Sequence, residues 1–133
     1  MNMSNKIDKI LTEISARELF DKITILEIKK IKISNKQKLN EIDKELQSLN
    51  ETVKKYIPDP SKISKYIDDL KKINLKLWDI EDGKREAEKN KNFDEKFIEL
   101  ARNVYKFNDE RAKIKLSINN SLGSNIKEVK SYE

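Results

Sequence analysis

Three of the four arginines of this 133-residue chain, Arg85, Arg102 and Arg111, fall in one stretch with Trp78, Glu81, Glu99, Tyr105 and Asn108. Lysine covers the rest of the sequence, apart from Arg17. The planar fork of arginine suits partly buried, bidentate contacts with carboxylate or phosphate, whereas lysine suits solvent. Two chemistries fit this set. Glu81–Arg102 and Arg85–Glu99 can be interhelical ion pairs that fix register, with Asn74 and Asn108 as a polar layer. Alternatively, Trp78 and Tyr105 can wall a pocket where the arginines receive an anionic, sugar-phosphate-like molecule. Glu27 joins the set from an apolar run, Ile23 to Ile28. A carboxylate there is either paired, with Arg111 or a lysine, or has a raised pKa and can shuttle a proton.

Other chemistries are narrowed by composition. With no Cys and no His, the chain cannot form a Cys/His zinc site, a disulfide, a thiol nucleophile or a Ser-His-Asp triad. No Gly-rich phosphate loop exists. Carboxylates leave one metal option. Glu18 with Asp21, and Glu81 with Asp82, could hold Mg²⁺ in the manner of an all-α nucleotide pyrophosphohydrolase. The interleaved Lys84, Arg85 and Lys89 argue against a metal, and no cofactor is expected. The net charge of +5 is modest. The cluster Lys29, Lys30, Lys32, Lys36 and Lys38 is read as complementing a helix C-terminus, and nucleic acid is not favoured. No apolar run approaches the ~20 residues of a membrane span, and no secretory signal is visible, so a cytoplasmic location is expected.

These side chains need helices to carry them. Two Gly and two Pro are too few turn-formers for a sandwich, barrel or open sheet, and the fold class is all-α. Ser15 to Glu18 is a capping box, with Ile14 and Leu19 at the staple positions, and opens a first helix to about Ile33. Its apolar face, Leu19, Phe20, Ile23 and Leu26, is widened by Ile25, Ile28 and Ile31, which predicts burial on more than one side. Ser34 to Gln37 is a second capping box and opens the second helix. Leu39, Ile42, Leu46, Leu49, Val53 and Tyr56 form a strict coiled-coil seam there, which a partner protein or a second copy could use. Asp59 is read as the N-cap and Pro60 as the first residue of a third helix, ending near Asn90. Asn92 is read as the cap of a fourth, stopped by Gly123.

The short connections predict an antiparallel four-helix bundle, or long helical hairpins with coiled-coil-like seams. Residues 1–14 form a flexible or short extended lead-in, 15–123 one helical domain and 124–133 a tail whose Ile126, Val129 and Tyr132 could pack back. A turn near Asn90 to Asn92 makes facing residue numbers on helices three and four sum to about 183. Analogous turns set Leu49 against Ile67, Leu46 against Leu70, and Glu27 near the level of Asn74 and Asn108.

Several segments resemble a bacterial and phage family of unknown function, often encoded beside surface-polysaccharide or glycosyltransferase genes. They are Glu18 to Lys29 (ELFDKITILEIK), Asn74 to Asp82 (NLKLWDIED), Phe97 to Tyr105 (FIELARNVY), Asn108 to Ala112 (NDERA) and Lys130 to Tyr132. The resemblance implies a link to polysaccharide biosynthesis and no particular activity. It marks Glu18, Asp21, Glu27, Trp78, Glu81, Asp82, Arg85, Glu99, Arg102, Tyr105, Asn108, Asp109 and Arg111 as positions of interest. Gly83 and Lys84 depart from its pattern, and a kink is expected there.

Overall fold

A computed structural model describes residues 7–123. The proposed tail contacts of Ile126, Val129 and Tyr132 lie outside the described residues. Four α-helices make up the fold: α1 (Ala16–Lys32), α2 (Lys36–Tyr56), α3 (Ser64–Asn90) and α4 (Glu95–Leu122). Residues 7–14 precede them without regular structure.

Local chemistry sets the boundaries. The Ser15 side chain accepts from the backbone N–H of Glu18 at 3.3 Å, as the capping box requires. Asn35, and not Ser34 of the expected capping box, caps α2, accepting from the backbone N–H of Lys38. Two further starts differ from the sequence expectation. Asp59 caps a one-turn 3-10 segment, Pro60–Ile63, and α3 begins only at Ser64. Asp94 rather than Asn92 caps α4, accepting from the N–H groups of both Lys96 and Phe97. Between α3 and α4, Lys91 takes the left-handed conformation and closes the third helix. Gly123 closes the fourth in the same conformation.

α1 is the centre of the arrangement. It packs against α2, α3 and α4, while α2 approaches no other helix among the described residues. Lys30–Asp43 at 2.9 Å and Lys22–Glu45 at 3.7 Å show α1 and α2 running antiparallel. The pairing of helices two and three expected from the loop count is therefore not formed side by side. Leu46 and Leu70 nonetheless join one core, with Leu19, Phe20, Ile23, Leu26, Ile63 and Ile118. The α2 seam is consumed there too. Ile42 and Leu46 are buried, Leu39, Leu49 and Val53 pack against the core, and Tyr56 alone of the seam stays exposed. No partner helix is needed to cover it. The wide stripe of α1 explains its central place: Ile28 is 1% exposed, although Ile31 faces solvent.

α3 and α4 form the long hairpin, in the anticipated register. Lys76 sits over the Phe107 ring, and Gly83 faces Leu100. From Glu81 to Asn90 and from Glu95 to Arg102 no residue is buried, because α1 ends near the level of Asp79, where its Lys32 pairs at 3.3 Å. The end of the hairpin thus has two helices and no third.

α3 runs unbroken through Gly83. A Cβ at this position would lie 3.0 Å from Cδ1 of Leu100, so glycine lets the two helices approach. Gly83→Ala gains about 1 kcal/mol of helix propensity and loses a similar amount in displacing Leu100. It is expected to be nearly neutral alone. In a Leu100→Ala background it should stabilise by about 1 kcal/mol, a coupling that thermal melts of the four variants would read.

Candidate functional site

Polar residues on the inward seams of three helices meet at Asp21. On α1, Arg17, Asp21, Thr24 and Ile28 recur at spacings of four and three, and all four are buried. On α3, Asn74 continues the seam of Ile63, Ile67 and Leu70. On α4, Arg111 and Lys115 stand one turn apart, facing α1.

The resulting network is closed and charge-balanced at its centre. The Nε of Arg111 donates to Oδ1 of Asp21 at 3.1 Å, and its Nη2 donates to Oδ2, a bidentate fork. Asn74 Nδ2 donates to Asp21 Oδ1 at 3.0 Å and to Thr24 Oγ1 at 2.9 Å. The Thr24 hydroxyl donates to the Asp21 carbonyl. Lys115, itself buried, lies 3.4 Å from Asp21 Oδ2 and 2.9 Å from Glu18 Oε1. Burial alone would raise the Asp21 pKa. Hydrogen bonds from Arg111 and Asn74, with the charges of Arg111 and Lys115, outweigh it and hold the carboxyl below its ordinary 3.8. One turn away, the side chain of Asn119 accepts from the backbone N–H of Arg17 at 2.9 Å, satisfying a first-turn donor of α1 from across the bundle.

Beside this network a shallow groove of about 450 Å³ opens between α1, α3 and α4. Five expected residues line it: Trp78, Glu81, Arg85, Asn108 and Arg111, joined by Asn74, Ile25, Leu77 and Lys29. Nη1 of Arg111 donates to Asn108 Oδ1 at 3.4 Å, so Asn74 and Asn108 are linked through Arg111 and Asp21 rather than in a layer of their own.

The remaining expected positions lie elsewhere. Glu27 pairs with Lys71 at 3.6 Å at the surface, so the lysine alternative holds and Arg111 is not its partner. Arg85 pairs with Asp82 of its own helix at 3.7 Å, not with Glu99. Glu81 pairs with Lys84 at 3.4 Å, not with Arg102. Glu99 and Arg102 are exposed, as is Tyr105, at 66%, which does not wall the groove with Trp78. The corrections on α3 and α4 have one cause: this part of the hairpin has no third helix to desolvate it.

Nor do the acids gather for a metal. Glu18 and Asp21 are taken by Lys115 and Arg111, and Glu81 and Asp82 by their own-helix cations. Among the described residues no group of three or more carboxylates is placed to hold an ion. At the other end of the bundle a hollow of about 580 Å³ is lined by Leu19, Tyr56, Ile57 and Leu122. Its single charged lining residue is the acid Glu13, and no cation lines it. The lysine cluster is partly neutralised, since Lys30 pairs with Asp43 and Lys32 with Asp79. No helix among the described residues is long and apolar enough to cross a membrane.

Sequence reasoning missed Lys115, Thr24, Arg17 and Asn119 as members of the network. A usable signal existed: Asp21, Asn74 and Arg111 each interrupt an apolar seam, and Lys115 lies one turn from Arg111.

No curated protein and no solved structure matches the chain. The family of unknown function DUF6165 matches residues 10–133, which takes in every element described above, and the chain belongs to that family.

Proposed function

We propose that this protein binds an anionic, sugar-phosphate-like ligand in the groove between α1, α3 and α4, as a cytoplasmic component of surface-polysaccharide biosynthesis. The polysaccharide setting rests on the sequence resemblance. The ligand class rests on one observation: the groove is lined by Trp78 together with Lys29, Arg85 and Arg111, with Glu81 as its one carboxylate. An indole face suits a sugar or base ring, and three cations suit phosphate oxygens. Lys29 makes no ion pair among the described residues. The Arg85–Asp82 pair is largely exposed, hence worth under about 1 kcal/mol and easily exchanged for a ligand.

Trp78 is the only tryptophan, so its fluorescence reports on this groove alone. Titration with glucose 1-phosphate and with inorganic pyrophosphate is expected to give a saturable change, with Kd on the order of 10 µM to 1 mM. Lys29→Ala and Arg85→Ala should each weaken binding roughly three- to tenfold. If neither compound moves the fluorescence or the melting midpoint, the groove is not an anion site.

A further inference from the structure

We propose that Asp21 is the positioning residue of the groove. It fixes the plane of the Arg111 guanidinium so that the Nη1 edge meets a phosphoryl group. The inference rests on the anion-site reading above. A guanidinium offers planar donor edges. Asp21 occupies one edge, through Nε and Nη2. On the other, Nη1 makes only the long 3.4 Å contact with Asn108, which a charged oxygen can displace.

Asp21 itself cannot swing away. It is 5% exposed, and Asn74 and Lys115 hold its two oxygens from separate helices. Arg111 is thus ordered before any ligand arrives, and binding does not bear the entropy of ordering it. A carboxylate so close to an anion site would repel the ligand. Lys115 offsets that charge from the side away from the groove, which it does not line. The arrangement favours a phosphoryl group, which accepts from Nη1 at a defined angle, over a neutral sugar hydroxyl.

Arginine side-chain NMR of the full chain reads the restraint without ligand. The Arg111 Nε–H should exchange slowly and its guanidinium should rotate slowly, while those of Arg85 and Arg102 average freely. Pyrophosphate titration followed by Trp78 fluorescence reads the consequence. Asp21→Asn should free the Arg111 signal and weaken pyrophosphate by roughly tenfold or more. Leu46→Ala weakens the fold away from the groove, which it does not line, keeps both Arg111–Asp21 bonds, and should leave Kd within about twofold. A wild-type protein that binds pyrophosphate, with Asp21→Asn binding it equally well, overturns the positioning role and leaves the groove reading intact. Arg111 rotating as freely as Arg85 in the wild type overturns it whether or not Asp21→Asn folds. Failure of the wild type to take pyrophosphate removes both readings together.

Discussion

Replacing Asp21 with alanine is expected to cost the fold about 3–5 kcal/mol, a large part of the ~5–15 kcal/mol that holds a domain together. The reason is what remains behind. Arg111 and Lys115, one turn apart on α4, would be left side by side against α1 without the carboxylate between them, and the Asn74 amide would lose an acceptor. Urea denaturation followed by circular dichroism measures this directly. A variant as stable as the wild type would mean that the three helices do not meet at this point. The same group sets an acid limb. The folded Asp21 pKa lies below its ordinary 3.8. Its contribution is therefore complete above the unfolded value and is lost as pH falls through 3.8 toward the folded value. Urea midpoints of the wild type should drop between about pH 5 and pH 2, and Asp21→Asn should remove the part of that drop due to this group.

The second large effect is expected in the apolar core. Leu70 of α3 is fully buried, in one cluster with Leu26, Ile63 and Ile118. Leu70→Ala should destabilise by about 2–5 kcal/mol, because a hole among three helices that brace one another closes poorly. Leu46 of α2 is almost as buried, yet its helix leans on α1 alone and can settle inward. Leu46→Ala should therefore cost less than Leu70→Ala. Thermal or urea melts give the order, and the reverse order would place α2 inside the bundle.

The helices were legible because their ends carry local chemistry. Ser15 and Gly123 act through groups within one turn, so sequence alone locates them, and the cap of α2 falls one residue from the expected Ser34. The hairpin register was legible for the same kind of reason: a four-residue turn leaves α3 and α4 one way to align, and Gly83 meets Leu100 as expected. The level of α1 was not legible. Counting along the loops carried it through α2 as though α2 lay between α1 and α3, and this put Glu27, rather than Asp21, opposite Asn74. Nothing in the spacing of α2 says which neighbour its seam will choose. The side-chain partners of Arg85, Arg102 and Glu99 failed for a related reason. Register fixes the height of a residue on a hairpin, but burial needs a further surface, and α1 stops short of that height.

That shortfall makes the outer part of the α3–α4 hairpin a cantilever rooted at Ile80 and Asn74, both buried. With no buried residue from Glu81 through the turn to Arg102, the two helices have little cohesion of their own here, so their order is inherited from the root. Damage at Asp21 or Leu70 should therefore be felt at the far turn near Asn92. Changes at that turn should fade before they reach the root, and this end of the molecule is where the chain can best absorb added length.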